Sequence, residues 1–114
     1  MKTLLEYLET DQEFARELIT SLSDNLTEFR DSLLQAIKLR DSEIFLSSYH
    51  KMKTTLGYTQ NEKLKLQADM IKSMMLQQGV ESIDVRVRNT FCGLCDSSSF
   101  ELQKQLKYYL KMEI

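Results

Sequence analysis

Proline is absent from the 114-residue sequence, glycine occurs only three times and histidine only once. Little in the chain therefore interrupts a helix, and its many Leu, Lys, Glu and Gln residues lose little conformational freedom on entering one. The sequence predicts an all-helical fold. Its length suits one hydrophobic core, and no repeat or flexible linker divides it, so we expect a single domain over residues 1–114.

Charge of neither sign is in large excess, because 15 lysine and arginine residues stand against 17 aspartate and glutamate residues. This near-balance gives no reason to expect the basic stripe of a nucleic-acid-binding protein, or attraction to an anionic membrane. Residues 1–10 are too short a stretch, and too charged at Glu6 and Glu9, for a signal peptide or a spanning helix. We therefore expect a cytoplasmic protein with neither nucleic acid nor membrane as a partner.

The groups that form most enzyme sites are also missing. The sequence has no glycine-rich phosphate loop and no pair of acidic residues set for metal-dependent hydrolysis. Cys92 and Cys95 form a C-x-x-C pattern, but a zinc site needs two further Cys or His ligands, and the chain offers only His50 on another helix. Two partly buried thiols are the favoured interpretation, with pairing under oxidation left open. We expect no metal, no cofactor, no small-molecule substrate and no catalytic turnover.

Apolar residues at three- and four-residue spacing divide the chain into helices. A short helix is predicted over residues 2–9, then a long one from about Asp11 to Leu39. A third is predicted from Ser42 to Gly57, and a fourth from about Asn61 to Gln78. The residues expected to face inward on the three longer helices are Phe14, Leu18, Leu22, Leu26, Phe29, Leu33 and Ile37; Phe45, Tyr49, Met52 and Leu56; and Leu64, Ala68, Ile71 and Met75.

The last predicted helix includes Leu102, and the sequence does not determine where this helix starts. Asp96 or Ser98 could cap it, or the helical period could continue back to Ile83. Residues 83–87 also have the pattern of a short extended segment. Four amphipathic helices with short connections pack most readily as an antiparallel four-helix bundle, here with a short extra N-terminal helix.

His50 lies on the third predicted helix. At about 100° per residue, the inward residues of that helix fall in a narrow arc, and His50 lies roughly 130° from its centre. Its imidazole should therefore face water. A neutral, exposed imidazole is a competent nucleophile, and a phosphoryl group on its ring nitrogen stays reactive toward a carboxylate.

Four residues share the exposed face with His50. Ser47 lies about one turn before it, Lys53 and Thr54 one turn after it, and Gly57 two turns after it. Lys53 can offer a charge-assisted hydrogen bond to an anion on the imidazole, and Thr54 a hydroxyl. Gly57 removes a side chain where the backbone of another protein could approach closely. This face predicts an exposed nucleophile that can hold an anion and is accessible to a partner protein.

Residues 13–74 resemble histidine-containing phosphotransfer (HPt) domains. That family has a long helix, a short charged break and then a helix with the pattern A-H-x-L-K-G, with a leucine fourteen residues after the histidine. The corresponding stretch here is YHKMKT, residues 49–54, with Leu64 at the fourteen-residue offset. The break LRDSE, residues 39–43, is similar to the family's aaGDwe connector.

Three departures from the family lie at or after the histidine motif and bear on the site. Thr54 and Gln60 stand where the family has glycine, and Tyr49 stands where it has a small residue. The resemblance implies that His50 carries the phosphoryl group and that Lys53 supports it.

The resemblance also implies the partners and the docking surface. The partners would be response-regulator receiver domains and a sensor histidine kinase, including one of the hybrid type. The docking surface would include Ser47, Lys51, Thr54 and Gly57. The alternative is an adaptor that resembles an HPt domain but is not phosphorylated, or a helical module for protein–protein interaction.

Overall fold

The computed structural model describes residues 11–112, without the side chains of Gln12 and residues 108–112. The helix predicted over residues 2–9 lies outside this range. The described helices are α1 (Gln12–Leu39), α2 (Ser42–Lys51), α3 (Lys53–Thr59), α4 (Glu62–Gln78) and α5 (Val85–Met112), with a 3-10 turn at Val80–Ser82 between the last two. No strand occurs in the described range, so the prediction of an all-helical fold is confirmed.

Four of the helices begin at a residue whose side chain caps them. In each case an Asp or Asn oxygen accepts a hydrogen bond from a backbone N–H of the first turn, which satisfies a donor that the helix itself leaves unpaired. The pairs are Asp11 with Phe14, Asp41 with Glu43, Asn61 with Leu64 and Asp84 with Val87, at 2.9–3.1 Å.

The cap at Asp84 resolves the start of the last helix. Because Asp84 accepts from the N–H of Val87, α5 begins at Val85, and the helical period continues back almost to Ile83. A helix starting at Asp96 or Ser98 and an extended segment over residues 83–87 are both wrong.

The predicted third helix is interrupted at Met52. The backbone there has φ −84° and ψ −5°, and its N–H bonds to the carbonyls of both Ser48 and Tyr49, at 3.0 and 3.1 Å. Such a shared hydrogen bond tightens a helix end. The helical stretch therefore consists of α2 and α3, and it extends to Thr59 rather than to Gly57.

Two connections use a left-handed residue other than glycine. Arg40 follows α1 with φ 54°, and Gln60 follows α3 with φ 53°. This conformation closes a helix C-terminus, but a side chain with a Cβ adopts it at a cost that glycine avoids. Both connections are only two residues long, so consecutive helices turn back sharply on one another.

The core lies where α1 packs against α5 and α2, and α4 completes it through its contacts with α2 and α5. The inward residues predicted for α2 to α4 are buried, except that Tyr49 is half-buried. On α1, however, Phe14 is 41% exposed, and the buried stripe runs through Ala15 instead. Phe14 lies about 100° from Ala15 around the helix, which takes it off the core-facing side.

Within residues 11–112, no helix has the length and apolar character needed to cross a membrane.

Candidate functional site

His50 is the penultimate residue of α2 and is exposed, as its helical position predicted. Within residues 11–112 it has no hydrogen-bond or ion-pair partner, so nothing in this range occupies its ring nitrogens. The other residues predicted for this surface are exposed too, namely Ser47, Lys51, Lys53, Thr54 and Gly57. The imidazole is therefore open to a partner protein.

The helix that carries His50 is held by the aromatic residues on its other side. Phe45 is fully buried and stacks on Phe29 with ring centroids 5.2 Å apart, and it meets Phe91 edge-on at 5.7 Å. Tyr49 packs against Phe29 and Phe45, with centroids 6.5 and 6.4 Å away. Such contacts fix the position of α2 against α1 and α5.

Tyr49 also ties α2 to α4. Its hydroxyl donates a hydrogen bond to Oδ1 of Asp69, and the ammonium group of Lys72 lies 4.9 Å from the centroid of its ring. The hydrogen bond to Asp69, assisted by burial, raises the pKa of Tyr49 from its ordinary 10.0 to about 12. The hydroxyl therefore keeps its proton, and remains a donor, at any physiological pH.

A cleft of about 400 Å³ opens beside this pair, between the α2–α3 stretch and α4. Its lining residues are Tyr49, Lys53, Leu56, Gly57, Gln60, Glu62, Lys65 and Asp69. The cleft divides the residues that the sequence grouped together. Lys53 and Gly57 line it, whereas His50, Ser47, Lys51 and Thr54 lie outside it on the open surface.

The lysines of the cleft are not neutralised by its carboxylates. Asp69 is engaged by the Tyr49 hydroxyl, and within residues 11–112 neither Lys53 nor Lys65 forms an ion pair. Lys53 lies three residues after His50, just beyond the interruption at Met52. Within the described range, its ammonium group is therefore free to bind an anion.

Polar contacts hold α3, the helix that carries Lys53 and Gly57. The buried hydroxyl of Thr55 accepts a hydrogen bond from Asn25 of α1 at 3.1 Å. Just after α3, Asn61 donates to the hydroxyl of Ser98 on α5 at 2.7 Å. Aromatic contacts thus support α2, which carries His50, whereas these hydrogen bonds support α3.

The fold does not require Gly57 to be glycine. It lies in a regular helix, and a Cβ added to it would meet nothing within 4 Å; the same is true of Gly93 on α5. The side chain of Thr54, where the related family has glycine, is exposed. Packing within the chain therefore does not explain why position 57 is glycine or why position 54 is threonine.

The cysteines lie apart from the His50 surface on α5. Cys95 is buried and Cys92 half-buried, and burial raises the pKa of both thiols. A raised pKa lowers the thiolate fraction on which metal binding and disulfide exchange depend. In the described range no three His, Cys, Asp or Glu residues are grouped to hold a metal ion.

Sequence reasoning missed the pairing of Tyr49 with Asp69. The two residues are twenty positions apart on different helices, and periodicity does not show which faces meet. One signal was available, because Asp69 directly follows the core residue Ala68 and so lies at the edge of the buried stripe of α4.

No protein-family model, curated protein or solved structure matches the chain.

Proposed function

We propose that this chain is a histidine phosphocarrier of a cytoplasmic two-component phosphorelay, with His50 as the phosphorylated residue. The observation that carries the proposal is an exposed imidazole on a firmly packed helix, three residues before the ammonium group of Lys53, with neither group paired to another side chain of the described range. The partners would be receiver domains of response regulators and a sensor histidine kinase, including hybrid kinases. The chain would be a stoichiometric carrier and not an enzyme with its own turnover.

In the proposed transfer, an unprotonated ring nitrogen of His50 attacks the phosphorus of an aspartyl phosphate on a receiver domain. The N–P bond forms as the P–O bond to the aspartate breaks, and the carboxylate leaves with the electron pair. The reverse sequence delivers the phosphoryl group to the aspartate of a second receiver. Lys53 would hold the phosphoryl oxygens by charge-assisted hydrogen bonds in both directions.

The left-handed residues support the resemblance on which this proposal rests. When Asp41 is aligned with the aspartate of the family's connector, Arg40 falls on the connector's glycine. Gln60 falls on the glycine expected ten residues after the histidine. Both are left-handed here, and that conformation is the usual physical reason for a glycine. The departures from the family at these positions therefore keep the backbone shape that glycine would give.

We further propose that the helices form an antiparallel four-helix bundle in which α2 and α3 together make one arm. The two-residue connections at Arg40–Asp41 and Gln60–Asn61 support this arrangement, as do the contacts of α1 with α5 and α2. In such a bundle an exposed residue in the middle of an arm, such as His50, is accessible from the side.

The test is phosphoryl transfer from a panel of purified receiver domains loaded with acetyl phosphate. We expect the wild-type chain to gain an acid-labile, alkali-stable label and the His50→Gln variant to gain none while keeping the wild-type helical circular dichroism. Retained label in His50→Gln would contradict the proposal. No label on the wild type, from receivers that still bind it, would favour the adaptor that is not phosphorylated.

Lys53 has a matched control in the same chain, because Lys51 is also exposed but does not line the cleft. A charge-assisted hydrogen bond contributes about 1.5 kcal/mol or more, so Lys53→Gln should slow labelling about tenfold. Lys51→Gln should slow it much less, since Lys51 acts only through docking. Equal effects of the two substitutions would show that Lys53 does not support the phosphoryl group.

Gly57 and Gly93 provide a second matched pair, because both lie in helices with open space around them. Replacing either glycine by alanine should raise the free energy of unfolding by about 0.5–1 kcal/mol, since alanine favours a helix. Only Gly57→Ala should weaken receiver binding, because only Gly57 lies on the predicted docking surface. Unchanged binding and transfer in Gly57→Ala would remove Gly57 from that surface.

A further inference from the structure

Asp69 and Lys53 line one cleft, have opposite charges and nevertheless form no ion pair. Asp69 is instead bound by the hydroxyl of Tyr49. We propose that Tyr49 and Asp69 are positioning residues, whose hydrogen bond occupies the Asp69 carboxylate and so keeps the Lys53 ammonium free for the phosphoryl group on His50. The binding of a phosphoryl group by Lys53 rests on the proposed function. The competition of the Asp69 carboxylate for the Lys53 ammonium group does not.

Tyr49 lines the same cleft as the two charged groups and is bonded to one of them, Asp69. Tyr49 and Lys53 lie on either side of the interruption at Met52, and both line the cleft. The helix is interrupted between them at Met52, whose N–H bonds to the Tyr49 carbonyl at 3.1 Å, and α3 begins its own hydrogen bonds with that from the N–H of Leu56 to the Met52 carbonyl at 2.8 Å. Asp69 faces both side chains from α4, across the cleft.

The other charged groups around the cleft favour the same arrangement. Lys65 and Lys72 lie four residues before and three residues after Asp69, on its side of α4. Lys72 is also drawn to the ring of Tyr49, 4.9 Å from its centroid. Asp69 thus has a hydroxyl donor and two neighbouring cations on α2 and α4, while Glu62 is the remaining carboxylate of the cleft. Removing the hydroxyl would leave Oδ1 of Asp69 without its donor and Lys53 as an available partner.

The hydrogen bond between Tyr49 and Asp69 does not depend on pH in the physiological range. Because its pKa is raised to about 12, Tyr49 remains a hydrogen-bond donor throughout the physiological range. The arrangement is therefore a fixed restraint on Asp69 and not a pH-dependent switch.

The experiment measures Lys53 directly and does not depend on phosphorylation. An amine-reactive succinimidyl ester is applied at a limiting concentration to the wild type, Tyr49→Phe, Asp69→Asn and the double variant. The acylation rate of Lys53 is then measured by peptide mass spectrometry, relative to that of Lys51 in the same sample. An exposed ion pair contributes at most about 1 kcal/mol, so Tyr49→Phe should slow Lys53 acylation about two- to fivefold. The double variant should return to the wild-type rate, because it lacks the competing carboxylate.

Labelling of His50 by a loaded receiver should follow the same pattern. Tyr49→Phe should slow it by a similar factor, the double variant should restore it, and Tyr49→Phe should have no effect in a Lys53→Gln background. A purely structural role of Tyr49 would not be reversed by Asp69→Asn or cancelled by Lys53→Gln.

Three results would overturn the proposal. The first is an unchanged Lys53 acylation rate in Tyr49→Phe. The second is a slowed rate in Tyr49→Phe that the added Asp69→Asn substitution does not restore. The third is a faster rate in Asp69→Asn alone, which would mean that Lys53 is already paired in the wild type. The predicted acylation pattern in a chain that no receiver labels would support the positioning pair and contradict the proposed function.

Discussion

The interface between α1 and α5 has an aromatic half and a polar half. In the aromatic half, Phe29 of α1 stacks on Phe45 of α2 and meets Phe91 of α5 edge-on, with centroids 5.0 Å apart. All three rings are fully buried. Burial of this kind is non-directional and contributes in proportion to the apolar area removed from water.

In the polar half, hydrogen bonds between small side chains replace the rings. Ser23 of α1 is bonded to Ser99 and accepts from Gln103 at 3.0 Å, both on α5. Asn25 and Asn61 extend this layer by their bonds to Thr55 and Ser98. Each bond replaces one to water, so its net contribution is only about 0.5–1.5 kcal/mol.

The candidate site lies where the two halves meet. His50 is on α2, which the aromatic half holds through Phe45 and Tyr49. Lys53 is on α3, which the polar half holds through Thr55 and through Asn61 just beyond it. We infer that His50 is fixed mainly by apolar packing, whereas the orientation of Lys53 is set by hydrogen bonds. Four substitutions can test or sharpen this contrast.

The largest effect is expected from Phe45→Ala. Removing a fully buried phenylalanine leaves a cavity and should lower the free energy of unfolding by about 3–5 kcal/mol. Urea denaturation followed by circular dichroism measures this loss, with Phe100→Ala as the control. Phe100 is 65% exposed on α5, so its removal should change stability by less than about 0.5 kcal/mol. Similar losses in both variants would show that the rings do not form the stabilising core.

Asn61→Ala tests the polar half and should have a smaller effect. It removes both the cap on the N–H of Leu64 and the bond to Ser98. The expected loss of unfolding free energy is about 1–2 kcal/mol. Ser98→Ala removes only the second bond and should cost less in the same denaturation experiment. If Asn61→Ala lowers the free energy of unfolding as much as Phe45→Ala does, the aromatic and polar halves do not differ in their contribution to stability.

The aromatic half was more accessible to sequence reasoning than the polar half. Phe29 and Phe45 could be assigned to the core because each belongs to an apolar stripe of helical period, which records burial directly. The bonds of Ser23 to Ser99 and Gln103 leave no such periodic trace. Their partners are about eighty positions away, and the register that joins them follows from the packing of the whole bundle.

Local patterns failed where they supported two structures equally well. Ile83 to Val87 alternate apolar and polar residues, as a strand would, but Asp84 caps α5 and the core buries Val80 and Ile83. The exposure of His50 was predictable because it depends only on its angle around a helix. The pairing of Tyr49 with Asp69 was not predictable, because it depends on which face of α4 meets α2.

Gln60→Gly should stabilise the connection between α3 and α4. Gln60 is left-handed, and glycine adopts this conformation without the Cβ penalty of about 1 kcal/mol. We expect a gain of that order in the free energy of unfolding, measured by urea denaturation. Arg40→Gly, at the equivalent position after α1, should give a similar gain. A lower free energy of unfolding in either variant would show that the replaced side chain stabilises the chain by more than its left-handed backbone costs.

Tyr49 belongs to both kinds of packing, by its ring and by its hydroxyl. Its pKa is raised from 10.0 to about 12 in the folded chain, so folding favours the protonated hydroxyl. This contribution to stability is fully present below pH 10 and is lost as the pH rises toward 12.

Tyr49→Phe lacks the contribution at every pH. The difference in unfolding free energy between the wild type and this variant should therefore be constant below pH 10 and should shrink between pH 10 and about 12. Urea denaturation at a series of pH values measures it, and comparison of the two chains cancels the titration of the lysines. If the two chains are equally stable at every pH, the hydroxyl contributes nothing, the ring alone stabilises α2, and His50 is held entirely by the aromatic half.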